Sequence, residues 1–563
     1  MTTTFPEDFN LADYWLFARE REGKGDKVAL RFGDRSWTYA EVAERSRSLA
    51  RYLVDAGLRP EQRVYIVLPD MPPFAWGIFA TLAAGGVLTM GNSIAPVDDL
   101  RYVLDYIRAA VLITTPAVAA SLAQHYGELP DLQTILLAPD AATGDDPEAE
   151  IPMTAMDLRA APGVPPKRCE TVAKAIARGR TLDAPLPRTK RDDPAIWLFT
   201  SGSTGRAKAA MHSHRDFAFN TEVYAKRTVG YREDDVSISV PRLFFGYATG
   251  TNLWFPFAVG ATVGLFSERP TAESVAAAIA RYRPTIVTNV PTMIGKLLDL
   301  DDEQRARGEA GLDLSSVRFH LSAGEALPEP LLRRFTERFG ADVYDGIGSA
   351  EMFHIYCSNR PGDIMPGSLG RAVEGYTLKV LPEDAEGSGA PALAPNEIGV
   401  LWVKGDSVAH GYFQDRDKSW KTFHGHWCRT GDLFHIDERG YLWFSGRADD
   451  LFKVGGIFVA PREVEDCLLA HACVSVVAVI PAEDAGLTKP KAFVVVRPDA
   501  RDRIATPAGK QALADELKAH VQARLSKHKY PRWVVFVDDL PKNDRGKVDK
   551  KLLVERELMK EQS

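Results

Sequence analysis

Apolar runs of four to six residues alternate with helical patterns through most of this chain. Strand-like runs include Val64–Leu68, Ala110–Thr114 and Thr285–Val290, and helical stretches such as Thr271–Tyr282 and Leu331–Phe339 lie between or after runs of this kind. Such alternation is typical of α/β folds, because parallel strands need a crossover connection that is usually a helix. We therefore predict a large domain of mainly parallel sheets flanked by helices.

The pattern changes towards the C-terminus. Short β-type runs at Gly399–Lys404 and Tyr441–Ser445, with turn residues between them, predict a small β-type subdomain. The last hundred or so residues alternate short strands with helices in the manner of a compact α+β unit. Because 563 residues exceed what one hydrophobic core supports, we predict a large N-terminal domain over residues 1–448 and a small C-terminal domain over residues 449–563.

Composition narrows the class of protein. A formal net charge of -7 gives no electrostatic reason to expect nucleic acid binding. The five cysteines form no C-x-x-C pair, so a reducing cytoplasm is favoured over a disulfide framework or a zinc site. The N-terminus has no signal-peptide pattern. The uncharged stretch between Asp70 and Asp98 contains prolines and glycines, so we expect a buried helix and strand there and no membrane span.

The segment LFTSGSTGRAKAA, residues 198–210, is the most informative motif. An apolar run leads into a loop of small hydroxylated residues closed by Arg206 and Lys208. Such a loop can turn backbone N–H groups and hydroxyls toward an anion, and Lys208 adds a positive charge. It is not the common P-loop, because Ala207 and not glycine precedes the lysine. The segment predicts a polyphosphate cradle, with a solvated flexible loop as the alternative.

Four further motifs are individually weak. YDGIGSAE ends at Glu351, a carboxylate suited to Mg²⁺, but this motif alone favours a glycine-rich turn that ends in a surface glutamate. RTGDLFHID places Asp432 where it would accept two ribose hydroxyls or cap a turn. FSGRADDLFKVGG, residues 444–456, reads as a charged linker, and LPKNDRGKVDKK, residues 540–551, as a basic loop that contains Lys547.

Together and in this order, these motifs resemble the adenylate-forming superfamily of acyl-CoA synthetases, adenylation domains and luciferases. The resemblance extends from the helix near Tyr39–Leu53 to Lys551. It implies that a carboxylic acid and ATP form an acyl-adenylate with release of pyrophosphate, and that the acyl group then passes to a thiol. It also implies a mobile C-terminal domain that swings about Asp449. The implied cofactors and co-substrates are ATP, Mg²⁺ and CoA.

The resemblance assigns roles residue by residue. Lys547, Glu351 and Lys208 would be catalytic, with Glu351 also the metal ligand. The CoA channel would be bordered by Lys453, Gly455 and Gly456. The contacts with ATP and AMP would come from the large domain. The residues are Thr200, Ser201, Gly202, Ser203, Thr204, Gly205, Gly324, Glu325, Ala326, Asp345, Gly346, Ile347, Asp432 and Arg447.

A narrower resemblance is to the benzoate-CoA ligase branch. It rests on FFGYATG, residues 244–250, on SAGEALP and on GSAEMFHIYCSNRPG. It implies an aromatic carboxylic acid as substrate and a flat pocket with glycine floors, an aromatic wall and one polar histidine. Taken alone, Tyr247 and His354 would read as core packing. The implied pocket residues are Phe245, Gly246, Tyr247, Gly348, Ser349, His354 and Ile355.

The chain departs from the usual motifs at several positions. Ala207 and Ala209 replace a proline and a glycine of the loop, and Ala350 replaces a threonine before Glu351. Loss of one hydroxyl contact costs about 0.5–1.5 kcal/mol, so we expect a slower enzyme and not a dead one. Gly246 stands where benzoate ligases often have alanine, and we expect the pocket to accept an amino- or hydroxy-substituted ring or a bicyclic acid.

Three functions remain open at this point. The first is an aryl-CoA ligase acting on free CoA. The second is an aryl-adenylating enzyme that loads the phosphopantetheine of a carrier protein. The third is a catalytically silent relative that binds an acyl-adenylate, as the altered loop and Ala350 would allow. The expected assembly is a monomer or a homodimer.

Overall fold

The computed structural model describes residues 3–140, 146–149, 151, 167–201, 206–324, 327–447, 452–454, 457–484, 487–541 and 548–561. Its strands, in chain order, are β1 Val28–Phe32, β2 Arg35–Thr38, β3 Arg63–Val67, β4 Val87–Met90, β5 Ala109–Thr114, β6 Thr134–Leu137, β7 Arg168–Thr171, β8 Pro194–Ser201, β9 Ala207–Ser213, β10 Val236–Ser239, β11 Thr262–Leu265, β12 Ile286–Asn289, β13 Phe319–Ser322, β14 Asp342–Gly348, β15 Ile355–Ser358, β16 Arg371–Ala372, β17 Thr377–Leu381, β18 Gly399–Lys404, β19 Gly411–Tyr412, β20 Phe423–His424, β21 Trp427–Ile436, β22 Leu442–Arg447, β23 Phe452–Val454, β24 Ile457–Val459, β25 Val474–Asp484, β26 Leu487–Val496 and β27 Trp533–Phe536.

The α-helices are α1 Ala18–Arg21, α2 Tyr39–Asp55, α3 Pro72–Ala83, α4 Val97–Tyr106, α5 Pro116–Leu122, α6 Val172–Thr181, α7 His214–Asn220, α8 Gly246–Thr249, α9 Phe255–Val259, α10 Ala272–Tyr282, α11 Pro291–Ala306, α12 Glu329–Phe339, α13 Arg416–Thr422, α14 Pro461–Leu469, α15 Pro507–Gln522 and α16 Lys550–Glu561. Turns of π-helix cover Asp13–Phe17, Thr221–Val229 and Gly250–Trp254, and 3₁₀ turns cover Ala123–Glu128, Ala350–Met352 and Pro498–Ile504.

Two large sheets build the N-terminal part of the chain. The first has the order β16-β15-β14-β13-β12-β10-β11-β1-β2 and is parallel from β14 to β1. The second has the order β19-β9-β8-β4-β3-β5-β6-β7 and is parallel from β8 to β7. Helices α10, α11 and α12 cover one face of the first sheet with buried aliphatic side chains. The predicted α/β class with mainly parallel sheets is confirmed.

Local sequence signals explain several of these elements. Helix α2 begins at a capping box, in which Thr38 Oγ1 accepts from the Glu41 N–H and the Glu41 carboxylate accepts from the Thr38 N–H. The uncharged stretch after Asp70 forms α3, every residue of which is buried, and then β4, as predicted. None of the helices in the described ranges combines the length and the apolar character needed to cross a membrane.

A five-stranded sheet has the order β17-β18-β21-β20, with β22 paired to β21, and corresponds to the predicted β-type subdomain. Strands β25, β26 and β27 form a separate sheet covered by α14 and α15, which is the predicted α+β arrangement. The chain divides into two compact units, one of Met1–Leu378, Trp402–Arg429 and Gly440–Leu442, the other of Lys379–Leu401, Thr430–Arg439 and Trp443–Ser563. The predicted domain boundary, between residues 448 and 449, lies outside the described residues.

Candidate active site

The predicted phosphate loop connects the two strands of an antiparallel hairpin. Strand β8 runs to Ser201, and β9 starts at Ala207, with Thr200 opposite Lys208. Gly202, Ser203, Thr204 and Gly205 lie outside the described residues. Ala209, one of the two departures in this loop, is a fully buried strand residue. A methyl group packs well at such a position, so the structure gives a physical reason for alanine here in place of glycine.

Lys208 forms an ion pair across the site. Its Nζ lies 2.7 Å from Oδ2 of Asp415, with 16% of the lysine side chain and 31% of the aspartate side chain exposed. The hydrogen bond with Lys208 holds the pKa of Asp415 below its usual value. The ion pair with Asp415 therefore fixes the position of the ammonium at the end of the hairpin.

Three hydrogen bonds fix Glu351 and the preceding Ala350 against the second sheet. The ring of His212 donates from Nε2 to the carbonyl of Ala350 at 2.7 Å. The N–H of Ala409 donates to the carbonyl of Glu351 at 2.8 Å, and the hydroxyl of Tyr412 donates to Glu351 Oε1 at 2.7 Å. Burial, followed by the charge of Glu351, raises the pKa of Tyr412, so this hydroxyl stays a donor.

The carboxylate of Glu351 fits a shared magnesium ion. Oε1 accepts from Tyr412, while Oε2 makes no hydrogen bond within the described ranges. Those ranges also contain no cluster of three or more ligating side chains. Mg²⁺ commonly takes one or two carboxylates and completes its shell with water and substrate phosphates. A carboxylate with one oxygen that makes no hydrogen bond among the described residues suits that mode of binding.

Asp345 lies at the carboxyl end of the first sheet. Strand β13 pairs Ser322 with Asp345 of β14, and both side chains therefore project from the same face of the sheet. Asp345 is buried, and its Oδ1 has no hydrogen-bond partner among the described residues. Burial raises the pKa of this carboxyl to about 7. A buried, unsatisfied acceptor at this edge suits an N–H donor such as the amino group of adenine.

Among the predicted aryl pocket residues, Tyr247 contacts His354 directly. Nε2 of His354 lies 3.0 Å from the carbonyl of Tyr247, and the His354 ring lies 5.4 Å from the Tyr247 ring and 4.7 Å from that of Phe255. Burial lowers the pKa of His354 to about 3, so the ring is neutral near pH 7. Since a carbonyl only accepts, Nε2 holds the proton and Nδ1 is an acceptor.

Three polar atoms of this pocket are buried and have no partner in the part of the chain that is described. They are Nδ1 of His354, the hydroxyl of Tyr247 and the hydroxyl of Ser349. Burial also raises the pKa of Tyr247, which keeps its proton. Each such atom costs about 1–3 kcal/mol when it is left unpaired, so the pocket favours a ligand with polar groups on its ring.

Three glycines set the shape of the pocket. A Cβ on Gly250 would lie 2.5 Å from Cδ2 of His354, and a Cβ on Gly348 would lie 2.5 Å from the backbone carbonyl oxygen of His354. A Cβ on Gly246 would meet Cδ1 of Leu198 at 3.1 Å. Leu198 of β8 therefore packs against the side of Gly246 that alanine would fill.

Phe353 connects the predicted metal ligand with the acid pocket. It has φ 66°, outside the region that side chains with a Cβ prefer. Its ring packs against Phe217 at 4.0 Å and against Trp254 at 5.5 Å between centroids. This aromatic packing holds the backbone turn that sends Glu351 and His354 in different directions. Ile355 follows, opposite Gly348 in the β14–β15 pair.

The remaining predicted residues are placed as follows. Gly324 has φ 90° after β13, and Gly346 and Ile347 lie in β14. Phe245 precedes α8. In the second unit, Asp432 lies in β21, Arg447 ends β22 and Lys453 lies in β23. The predicted roles of Glu325, Ala326, Asp449, Gly455, Gly456 and Lys547 concern residues outside the described ones.

Tyr412, Asp415 and His212 were not predicted from the sequence. Their roles depend on contacts with residues far away in the chain, which no local pattern shows. One signal was available: Asp415 precedes a short polar helix and accepts from the Lys418 N–H, as N-cap residues do. That signal identifies a helix start and not a partner for Lys208.

Comparison with known proteins gives consistent matches. The family model described as AMP-binding enzyme matches residues 17–413, and that of the AMP-binding enzyme C-terminal domain matches residues 463–547. The chain is 37% identical to a benzoate–CoA ligase of Thauera aromatica over 97% of this chain and 95% of the relative. It is also 37% identical to a 4-hydroxybenzoate–CoA/benzoate–CoA ligase of Rhodopseudomonas palustris, over 98% and 95%.

A solved structure is similar over the whole chain. The anthranilate CoA ligase AuaEII, in complex with anthranoyl-AMP, aligns with a TM-score of 0.83 at 33% identity, covering 99% of this chain and 98% of that one. Sequence and fold therefore agree. The chain belongs to the AMP-binding enzyme family, that is, to the adenylate-forming superfamily, in its benzoate–CoA ligase branch.

Proposed function

We propose that this chain is an ATP-dependent aryl-CoA ligase. It joins an aromatic carboxylic acid to AMP with release of pyrophosphate, and then transfers the aryl group to CoA. One observation supports this most directly: His354 contacts Tyr247, and both carry buried polar atoms that have no partner among the described residues, while Glu351, three residues earlier, has a carboxylate oxygen with no hydrogen bond in those residues. The ring of the acid and the phosphates of ATP would thus be held on the two sides of Phe353.

The chemistry requires positive charge between two anions. A carboxylate and a triphosphate repel each other, so approach to the α-phosphorus needs fixed cations. Lys208 supplies one at the β- and γ-phosphates, and Mg²⁺ on Glu351 would neutralise phosphate oxygens. Lys547, on the small domain, supplies another that leaves before the thiol attacks. Asp345 and Asp432 hold the adenine and the ribose, and Arg447 lies near the ribose or the phosphate.

The substrate class follows from the unpaired atoms of the pocket. The neutral His354 presents an acceptor at Nδ1, so it fits a ring substituent that donates a hydrogen bond. We therefore propose a hydroxy- or amino-substituted benzoate in preference to benzoate itself. A site built to bond such a group discriminates strongly against analogues that lack it, because its own polar atoms are then left unpaired.

Five free cysteines suit a reducing compartment such as the cytoplasm.

The test is pyrophosphate release with a panel of aromatic acids, measured with and without CoA. We expect kcat/KM for the favoured hydroxy- or aminobenzoate to be about tenfold or more above that for benzoate. It should exceed by the same factor the value for the methoxybenzoate substituted at the same ring position. His354→Leu should abolish that preference. Lys547→Ala should abolish adenylation and largely spare thioester formation from supplied aryl-AMP.

The alternatives give other results. Adenylation that continues only when a carrier protein accepts the aryl group would identify the second function, and no release with any acid would identify a silent relative. An equal rate with benzoate and with every substituted analogue would contradict the proposed substrate class.

A further inference from the structure

A short segment, Ala409–Asp415, lies beside the phosphate side of the site, and we call it the bridging segment. Its residues Gly411 and Tyr412 form β19 and extend the edge of β9. The N–H of Phe413 donates to the carbonyl of Ala209 at 2.9 Å. The bridging segment is therefore attached by backbone hydrogen bonds to the strand that follows the phosphate loop.

One end of the bridging segment holds Glu351. The N–H of Ala409 donates to its backbone carbonyl at 2.8 Å, and the hydroxyl of Tyr412 donates to Oε1 at 2.7 Å. Tyr412 is only 6% exposed, so its ring has a fixed position. The two bonds fix both the main chain and the carboxylate of Glu351, and they leave Oε2 for another partner.

The other end holds Lys208. Oδ2 of Asp415 lies 2.7 Å from its Nζ, while Oδ1 accepts from the N–H of Lys418 at 3.2 Å at the start of α13. The helix cap thus orients the carboxylate that pairs with the lysine. An ammonium has three N–H donors, so one bond to Asp415 leaves two for phosphate oxygens.

We propose that Tyr412 and Asp415 are positioning residues for adenylation. Tyr412 holds the metal-binding carboxylate of Glu351, and Asp415 holds the ammonium of Lys208, so a single stretch of chain sets the spacing between the metal and the phosphate-binding cation. A long, flexible lysine side chain loses much freedom on binding, and fixing it in advance lowers that cost. The roles of Glu351 and Lys208 in this inference rest on the proposed function.

The contact with Glu351 is tested by Tyr412→Phe, which removes only the hydroxyl. We expect the dissociation constant of Mn²⁺, measured by titration in the presence of the non-cleavable analogue α,β-methylene-ATP, to rise at least threefold. High Mg²⁺ should restore the rate of aryl-AMP formation to within about twofold of that of the unmodified chain.

The matched control is Tyr106→Phe. It removes a hydroxyl that donates to the carbonyl of Phe413 at 2.6 Å, and so it loosens the same segment without touching Glu351. We expect the metal affinity of this variant to be unchanged. Equal weakening in both variants, or no weakening in Tyr412→Phe, would overturn the assignment of Tyr412.

The contact with Lys208 is tested by Asp415→Asn. Asparagine keeps the acceptor that caps α13 and replaces Oδ2 by an amide that cannot accept from the lysine. We expect the dissociation constant for inorganic pyrophosphate, measured by calorimetry on the full chain, to rise at least threefold. Asp417→Asn, an exposed position in the same helical turn, removes the same charge and should leave the constant unchanged.

Unchanged or tighter pyrophosphate binding in Asp415→Asn would overturn the assignment of Asp415, since tighter binding would mean that the carboxylate competes with phosphate for Lys208. If Asp417→Asn weakened pyrophosphate binding to the same degree, the effect would be one of net charge, and the assignment of Asp415 would again be overturned. The two variants probe separate contacts, so one that failed to fold would leave the other to decide. If the unmodified chain released no pyrophosphate with any acid, the proposed function would fail, whereas these binding measurements would still decide the positioning roles.

Discussion

Asp345 combines a raised pKa with an oxygen that has no partner among the described residues, at the carboxyl end of the first sheet. Its pKa of about 7 means that the carboxyl is protonated in mild acid and charged in mild base. A charged carboxylate accepts a hydrogen bond more strongly than a neutral carboxyl group does. If Asp345 accepts from the adenine amino group, the KM for ATP should fall several-fold between pH 6 and pH 8.

Asp345→Asn tests this dependence, because asparagine keeps an acceptor of the same shape and does not titrate. We expect its KM for ATP in the pyrophosphate-release assay to vary little over that range. Asp342→Asn, on the same strand, should retain the slope of the unmodified chain. The same slope in Asp345→Asn would contradict the assignment.

At this scale the sequence predicted residue types better than residue partners. Glu351 and Lys208 stand in motifs whose spacing is local, so they could be recognised. The pairing of Lys208 with Asp415, and of Tyr412 with Glu351, arises only when the two sheets are folded. A salt bridge between distant residues leaves no periodic signal in either segment, and so neither partner could be identified in advance.

Among the elements, the π-helical turn Gly250–Trp254 packs against His354 of the proposed acid pocket. A Cβ on Gly250 would come within 2.6 Å of Nε2 of His354, the atom that donates to the carbonyl of Tyr247. Gly250→Ala should therefore displace the ring and break that bond. We expect the KM for the aromatic acid to rise at least tenfold, with the KM for ATP within twofold of its original value.

The control is Gly295→Ala in α11, where the added Cβ would meet only Leu331 at 4.0 Å. Alanine should stabilise that helix by about 0.5–1 kcal/mol and leave both KM values unchanged. An unaltered KM for the acid in Gly250→Ala would show that His354 does not line the acid site.

Long elements were predictable because they repeat a pattern. The helices predicted at Thr271–Tyr282 and Leu331–Phe339 appear as α10 and α12, and the strand predicted at Ala110–Thr114 appears as β5. Strand β19 was not predicted, because two residues cannot show an alternation. Its position comes from tertiary pairing with β9 alone, and that is why the bridging segment was missed.

The molecule as a whole buries several neutral histidines. Burial lowers the pKa of His214, His320 and His354 to about 3. Each has a folded pKa below the unfolded value of about 6.5, so the unfolded chain binds a proton that the folded chain does not. Stability is therefore lost as the pH falls below 6.5, by about 3 kcal/mol for each histidine by pH 4.

His320→Leu isolates one of these contributions, since both ring nitrogens of His320 lack partners among the described residues. We expect the pH slope of the unfolding free energy, measured in urea between pH 4 and pH 6, to decrease by about 1.4 kcal/mol per pH unit. Phe335→Leu removes the ring whose centroid lies 4.9 Å from that of His320. It should lower stability and leave the pH slope of the unfolding free energy unchanged. An unchanged slope in His320→Leu would contradict the assignment.

The strained turn at Phe353 has a consequence for how the substrate range of this chain can change over generations. Two residues separate Glu351, the proposed metal ligand, from His354, which we propose to set selectivity, and the backbone between them is held out of its preferred region by packed rings. Substitutions on that stretch alter chemistry and selectivity together, so selection would reject most of them. Laboratory evolution toward new acids should accumulate its changes outside that stretch, at Leu198 and Gly246, which pack against each other.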